Sequence, residues 1–208
     1  MSESSPPDLS DDLRQRRSIR RFRGDPVPRE TIDRIMDAVR FSPTPTNRLC
    51  FRFLGIQQPL LIESIRQEVV TSIEQVASQL DEESARTFRE YSQWFTFFDR
   101  APVLIIGLFR VFSSRLPATG GNMPSLEGIA ELQAFGGAIH ALLLEAHHHN
   151  LGGCWMSGPL IAEDRLLRLL QIEKPWRIGA LVPIGFPESQ PKAPKKPSVQ
   201  DMFTWMEN

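Results

Sequence analysis

Few of the residue patterns that mark secreted, membrane-spanning or metal-dependent proteins occur in this chain. Its 208 residues include only two cysteines, Cys50 and Cys154, which are too few for the disulfide framework of a small secreted protein. The longest apolar run, residues 101–109, is far shorter than the roughly 20 residues that a membrane-spanning helix needs. The first ten residues are polar and lack the apolar stretch of a signal peptide. We therefore expect a cytoplasmic protein with reduced cysteines, although a single bridge between them stays open.

A large excess of charge of either sign is also absent. The chain has 24 basic and 25 acidic residues, with a formal net charge of −1. This balance gives no general electrostatic reason to expect a nucleic acid or a membrane as the partner. His147, His148 and His149 are consecutive, and consecutive helical side chains diverge by about 100°. They cannot share one metal ion, and no CxxC or HExxH pattern supports a metal site. We expect no metal, and histidines that suit the C-terminus of a helix.

Hydrophobic periodicity predicts a protein of mixed helices and strands. Helices are predicted over residues 29–41, 62–80, 81–100 and 126–150, with a short one around 166–170, and strands over 51–56, 101–109 and 178–186. Residues 1–12 are expected to be a disordered leader, because they are rich in Ser, Pro and Asp. Residues 113–125 are expected to be a Gly- and Pro-rich loop. The remaining chain, 13–208, is expected to form one domain with a C-terminal arm from about residue 187.

Two apolar features predict contact with another subunit. The helix predicted over 126–150 is apolar on most of its sides, which is typical of a buried helix in a core or a dimer interface. The tail ends in Met202, Phe203 and Trp205, and exposed aromatic side chains need a surface against which to pack. A partner subunit is the expected surface.

Three polar or Gly-rich segments are candidates for ligand binding, although each also has a simpler interpretation. Residues 16–22, RRSIRRF, offer guanidinium groups that bind phosphate as planar forks, yet a solvated basic arm or a nucleic-acid arm would look similar. Residues 42–47, SPTPTN, could simply end a helix. Residues 151–160, LGGCWMSGPL, let backbone amides approach a ligand, but they match no GxGxxG or GxxxxGK phosphate motif. No GxSxG nucleophile motif occurs either.

Taken together and in this order, these segments resemble the nitroreductase family of flavoproteins. A fourth segment, Lys195-Lys196-Pro197, follows a strand ending in PIGFP and is similar to the family's basic C-terminal element. The resemblance runs from about residue 14 to residue 205. It implies an α+β, three-layer fold with a central antiparallel sheet flanked by helices. It also implies an intertwined homodimer with FMN at the subunit interface.

The resemblance assigns cofactor contacts by position in the basic segment and the tail. Arg16, Ser18 and Lys195 would hold the FMN phosphate, with Arg17 contributing contacts beside them. Arg20 would lie near N1 and O2 of the flavin, where a cation stabilises the negative charge of the reduced ring.

Two loops complete the implied cofactor site. The other subunit would contribute Thr44, Pro45 and Asn47. The ring would meet the backbone groups of Met156, Ser157 and Gly158 near N5 and O4. The sequence departs from the family pattern at residues 48–51, RLCF, where members often have a glutamine, a proline and a tryptophan. The stretch that usually shapes the substrate pocket, residues 57–125, carries no motif that assigns a substrate.

The implied activity is hydride transfer from NADH or NADPH, through flavin N5, to a small electron-poor organic molecule. Nitroaromatics, quinones, enones and unsaturated metabolites are the candidate substrates, in a ping-pong cycle. The cofactor supplies this chemistry, so we nominate no protein nucleophile and no catalytic triad. Two alternatives stay open: a non-catalytic FMN-binding protein that stores or senses the cofactor, and a basic-arm nucleic-acid binder without flavin.

Overall fold

A computed structural model of the chain describes residues 9–112 and 128–206. Its helices and strands, in chain order, are α1 (Leu9–Gln15), α2 (Arg29–Val39), β1 (Phe51–Ile56), α3 (Pro59–Ala77), α4 (Glu82–Ser92), β2 (Val103–Phe109), α5 (Ile129–His148), β3 (Gly152–Gly153), α6 (Glu163–Leu169) and β4 (Arg177–Gly185). Short 3₁₀ turns lie at Pro45–Asn47, Gln93–Phe95, Phe97–Arg100, Gly158–Ala162 and Val199–Asp201.

The four strands form one antiparallel sheet in the order β1-β2-β4-β3. Both faces of the sheet are buried, since every residue of β2 is buried. Val103 and Ile105 belong to a core shared with α2 and α5, whereas Leu104 and Ile106 belong to a second core shared with α3 and α6. Alternate residues of a strand point to opposite faces, so one strand serves both cores. The α+β, three-layer arrangement expected from the sequence is confirmed.

Phe135 of α5 fixes the distance between this helix and the sheet. Its side chain is 1% exposed and lies across two strand glycines, Gly107 and Gly179. A Cβ at either position would come within 2.8 Å or 2.5 Å of the ring, which is closer than real contacts allow. The ring also packs against Phe109, with centroids 5.7 Å apart, and against Phe53 at 6.5 Å. The two glycines therefore let the helix approach the sheet closely.

The helix predicted over residues 81–100 is wrong in its second half. Asp81 caps α4, because its carboxylate accepts a hydrogen bond from the Ser84 amide at 3.0 Å. The helix ends at Ser92, and two 3₁₀ turns follow. Phe97 and Phe98 lie in the second turn and are both buried in the core shared with α3 and α6.

The first described residues differ from the expected leader, and the packing of the C-terminal arm on a partner subunit stays a prediction. Helix α1 begins at Leu9, so residues 9–12 of the predicted disordered leader are helical, with Asp12 close to His148 (Oδ2–Nδ1, 3.2 Å). The loop predicted at 113–125 lies outside the described residues. Residues 187–206 run along the surface with one 3₁₀ turn. Among the helices described, none combines the length and apolarity needed to cross a membrane.

Candidate functional site

The basic segment of residues 16–23 lies along the edge of the sheet. The Ile19 amide donates to the Gly153 carbonyl at 2.9 Å, and the Arg23 amide donates to the Phe186 carbonyl at 2.9 Å. Ile19 itself is buried against Gly152, where any Cβ would overlap the Ile19 side chain. This segment is therefore an ordered part of the fold, and the interpretation as a solvated arm is wrong.

The Gly-rich loop is fixed beside strand β4. Its residue Met156 exchanges two backbone hydrogen bonds with Leu181, donating at 2.9 Å and accepting at 3.0 Å. The sequence analysis offered the backbone of Met156 to a ligand, and this needs correction because its amide is already used within the fold. Ser157 lies directly before a 3₁₀ turn that begins at Gly158, and the first amides of this turn have no partner within it. They are the backbone donors that this loop offers.

The buried thiol of Cys154 shows that the two segments converge. Burial raises the pKa of this thiol, while the positive charges of Arg20 and Arg16 and a hydrogen bond with Ser18 act to lower it. Three residues of the basic segment thus lie near a residue of the Gly-rich loop. The assignment of Arg16, Ser18 and Arg20, with residues 156–158, to one cofactor site stays a prediction.

Two guanidinium groups in this region carry buried donors without acceptors. Nη1 of Arg16 and Nε of Arg17 are both buried and have no hydrogen-bond partner. The Arg17 side chain turns towards the end of α1, because its Nη1 donates to the Arg16 carbonyl at 2.8 Å and to the Arg14 carbonyl. A buried donor left unpaired costs about 1–3 kcal/mol, and more when it is charged. An anionic group on a ligand would provide the acceptor that the chain does not supply.

Arg20 lines an open pocket of about 550 Å³ with aromatic walls. The lining residues are Arg20, Tyr91, Trp94, Phe95, Phe97, Cys154, Trp155, Met156, Ser157 and Gly158. Arg20 lies over the Phe97 ring at 5.9 Å, and Tyr91, the chain's single tyrosine, packs edge-on against Phe95 with centroids 5.4 Å apart. Among the described residues, no acidic side chain lines the pocket. The arrangement can hold a flat aromatic group next to a cation.

The aromatic wall from the segment after α4 is not among the predicted site residues. Residues 91–98 contain five aromatic side chains, and this density could have indicated a ligand site. A helix predicted over these residues gives no reason to place the rings at a ligand site. Gly158 shows how tightly the wall is built, because any Cβ there would overlap the Phe95 ring.

The other predicted site residues lie elsewhere in this single chain. Thr44, Pro45 and Asn47 belong to a turn that contacts α5, and Asn47 has a left-handed backbone with φ of 54°. Lys195 is exposed on the tail. None of these residues lines the aromatic pocket. Their assignment to a site shared with a second subunit stays a prediction.

Neither cysteine is bridged, and no metal cluster is evident within residues 9–112 and 128–206. Cys50 and Cys154 are both buried free thiols. In these ranges, no group of three His, Cys, Asp or Glu side chains is arranged to hold an ion.

Comparison with known proteins agrees with the fold. The model of the Nitroreductase family matches residues 13–186. A 5,6-dimethylbenzimidazole synthase of Rhodobacter capsulatus is 30% identical over 185 residues, covering 86% of this chain and 84% of that protein. A BluB-like flavoprotein from Clostridium difficile 630 has a TM-score of 0.85 at 24% identity, covering 97% of this chain and all of the other. An FMN-dependent nitroreductase from Clostridium difficile R20291 has a TM-score of 0.66 at 16% identity, covering 95% and 98%.

Proposed function

Because the chain belongs to the nitroreductase family, we propose that it is an FMN-dependent oxidoreductase that passes hydride from NADH or NADPH to a small electron-poor organic substrate. The observation that carries this proposal is the buried Nη1 of Arg16, which has no hydrogen-bond partner among the described residues and whose charge reaches Cys154 in the wall of the aromatic pocket. A phosphate would satisfy that donor, and a flat ring system would fill the neighbouring space. The residues present therefore fit FMN, which when bound supplies two-electron hydride chemistry.

In this proposal the chain binds, orients and stabilises charge. Arg16 and Ser18 hold the phosphate, and Arg20 places a cation beside the ring, where charge-assisted contacts favour an anion. The amides of Ser157 and Gly158 donate to polar edges of the ring. The aromatic wall around Tyr91 and Trp94 excludes water and accepts a planar substrate. Nitroaromatics, quinones, enones or an unsaturated metabolite fit this description.

Anaerobic addition of NADH or NADPH to the purified, FMN-loaded protein tests the proposal. We expect one of the two donors to bleach the visible flavin absorbance within seconds to minutes, and an added nitroaromatic or quinone to restore it. The matched control is free FMN under the same conditions. If neither donor bleaches the protein-bound flavin, the alternative of a non-catalytic FMN-binding protein replaces the enzyme.

A second candidate activity is formation of 5,6-dimethylbenzimidazole. The relative of that name in Rhodobacter capsulatus is 30% identical over most of both chains, and the BluB-like flavoprotein has the higher TM-score of the two structures compared above. The test is to incubate the FMN-loaded protein with NADH or NADPH in air and to search the products by mass. Detection of 5,6-dimethylbenzimidazole would favour this activity over the transfer of hydride to an external substrate.

We further propose a cytoplasmic homodimer in which Thr44, Pro45, Asn47 and Lys195 complete the partner's cofactor site. The tail supports this proposal, because Met202, Phe203, Trp205 and Met206 are 50–91% exposed in the single chain. Apolar side chains exposed to this extent on one segment are typical of an interface.

Truncation after Pro191 is expected to weaken both the dimer and FMN binding, because it removes Lys195 and the exposed aromatic side chains. Analytical ultracentrifugation and the flavin content of the purified protein measure the two effects. Phe203→Ala/Trp205→Ala in the full chain is the companion variant, expected to weaken the dimer while keeping Lys195. A truncated protein that stays dimeric and flavin-loaded would refute the role of the tail.

A further inference from the structure

Three arginines and two aromatic rings alternate at one end of the sheet, away from the aromatic pocket. Cζ of Arg48 lies 3.8 Å from the centroid of the Phe112 ring, and Cζ of Arg110 lies 4.8 Å from the same ring. Arg110 also lies 5.0 Å from the Trp176 ring, which Arg52 contacts at 4.5 Å. We call this series, Arg48-Phe112-Arg110-Trp176-Arg52, the arginine ladder.

The cations of the arginine ladder are not neutralised by ion pairs. In the part of the chain that the structure describes, Arg48, Arg52 and Arg110 have no carboxylate within salt-bridge distance. Several other arginines do form ion pairs, including Arg66 with Glu63 and Arg89 with Glu74. What sets the ladder apart is that its cations alternate with aromatic rings.

Two carboxylates in this region of the described chain are already engaged. Glu131 is buried and accepts the Phe112 amide at 3.3 Å. Glu163 forms a two-pronged contact with Arg177, at 3.1 and 2.8 Å. One aromatic ring separates neighbouring cations of the ladder. The distance between these cations is therefore on the order of the Debye length, roughly 8 Å in physiological salt. Their mutual repulsion is thus not fully screened, and the region attracts anions.

Arg52 and Arg110 are attached to the sheet through their backbones, so the ladder is in place before a ligand binds. The Arg110 amide donates to the Cys50 carbonyl at 2.9 Å, and Arg52 is paired with Leu108 in the antiparallel register of β1 and β2. Nη2 of Arg110 donates to the Leu49 carbonyl at 3.2 Å, while its Nε is buried without an acceptor among the described residues. A guanidinium that stacks through its face keeps its edge N–H groups for a phosphate or carboxylate in its plane. Arg48 and Arg52, which are both exposed, offer such edges at the two ends of the ladder.

We propose that the arginine ladder binds a small ligand that carries two or more linked phosphate groups, such as a dinucleotide or a nucleoside polyphosphate. A single phosphate reaches one or two of the cations, whereas linked phosphates follow the row. None of the three arginines lines the aromatic pocket of the same chain, so the ladder is distinct from the pocket around Arg20 and Tyr91. The inference goes beyond the proposed function and does not depend on turnover.

Inorganic pyrophosphate is the probe, measured by calorimetry on the full chain in saturating FMN. We expect Arg48→Gln/Arg52→Gln to weaken pyrophosphate binding at least tenfold. The matched control is Arg66→Gln/Arg89→Gln, which removes the same charge from arginines that have carboxylate partners and should bind as the wild type does. Binding should also weaken steeply as salt is raised.

A further variant separates the ladder from the phosphate-binding part of the FMN site. Pyrophosphate affinity of the ladder should persist in Arg16→Ala, whether or not that variant retains FMN. The inference is overturned if the wild type does not bind pyrophosphate, if the ladder variant binds it as well as the control variant does, or if Arg16→Ala alone abolishes binding. None of these results depends on whether NADH or NADPH reduces the protein.

Steady-state kinetics with NADH or NADPH on the same variants identify the molecule that carries the phosphates. If the KM for NADH or NADPH rises in Arg48→Gln/Arg52→Gln together with the dissociation constant of pyrophosphate, the ladder binds the pyrophosphate of the electron donor. If the KM stays unchanged while pyrophosphate binding is lost, the ladder binds a different nucleotide. Both results support a polyphosphate site and differ in its ligand.

Discussion

Arg16→Ala is expected to weaken FMN binding by about 1.5–3 kcal/mol, the contribution of a hydrogen bond to a charged group. At about 1.4 kcal/mol per factor of ten, this is a loss of roughly 10- to 150-fold in affinity. The physical reason is that Nη1 of Arg16 is buried without an acceptor among the described residues, and in the proposed site the phosphate would satisfy it. Fluorescence titration of the apoprotein with FMN measures the change.

Arg14→Ala is the matched control for this experiment. Arg14 lies on the exposed side of α1 and pairs with Asp11 at 3.5 Å, a surface contact that contributes little to stability. Its backbone carbonyl, which accepts from Arg17, is kept in the variant. We expect unchanged FMN affinity for Arg14→Ala and no loss of melting temperature in either apoprotein. Equal FMN affinity of Arg16→Ala and the wild type would show that the phosphate lies elsewhere.

Phe135→Ala is expected to lower the free energy of unfolding by about 3–5 kcal/mol, the range for a phenylalanine removed from a core. The cavity would not collapse readily, because Gly107 and Gly179 carry no side chain that could move into it. The loss is a large fraction of the roughly 5–15 kcal/mol that stabilises a typical domain. Urea unfolding followed by tryptophan fluorescence measures the change.

Phe41→Ala provides the comparison of the same chemical type. Phe41 is 72% exposed, and we expect its removal to change stability by less than about 0.5 kcal/mol, as at other surface positions. Phe135→Leu should fall between the two, since it keeps part of the buried volume. If Phe135→Ala lost no more stability than Phe41→Ala, the close approach of α5 to the sheet would not be a main source of stability.

The fold was predictable from the sequence where one local pattern determined one element. Strand β1 begins and ends where its apolar run does, and β2 and β4 lie within two residues of their predicted bounds. Strand β3 was not predictable, because Gly152 and Gly153 have no strand preference and pair with β4 through long-range contacts. The break after α4 likewise depends on the burial of two adjacent rings in a core that the sequence does not display.

The candidate site was predictable as a set of segments and less so as a set of contacts. The resemblance assigns the basic segment and the Gly-rich loop to one ligand, and in the structure Arg16, Ser18 and Arg20 lie near Cys154 of that loop. The loss of Met156 as a backbone donor could not be predicted, since it depends on the register between a loop and β4. The arginine ladder brings together residues from three distant parts of the chain, so no local sequence motif predicts it.

Strand β1 has a further consequence for the solubility of this protein. In the described part of the chain, the edge beyond β3 is covered by residues 18–23, whereas β1 is paired on one side only. An open strand edge can pair with another chain and begin aggregation. β1 carries an unpaired arginine, Arg52, within its length, and a charge at that position repels a second copy of the same edge. Arg52→Val would therefore favour precipitation during refolding even if the native state were unchanged.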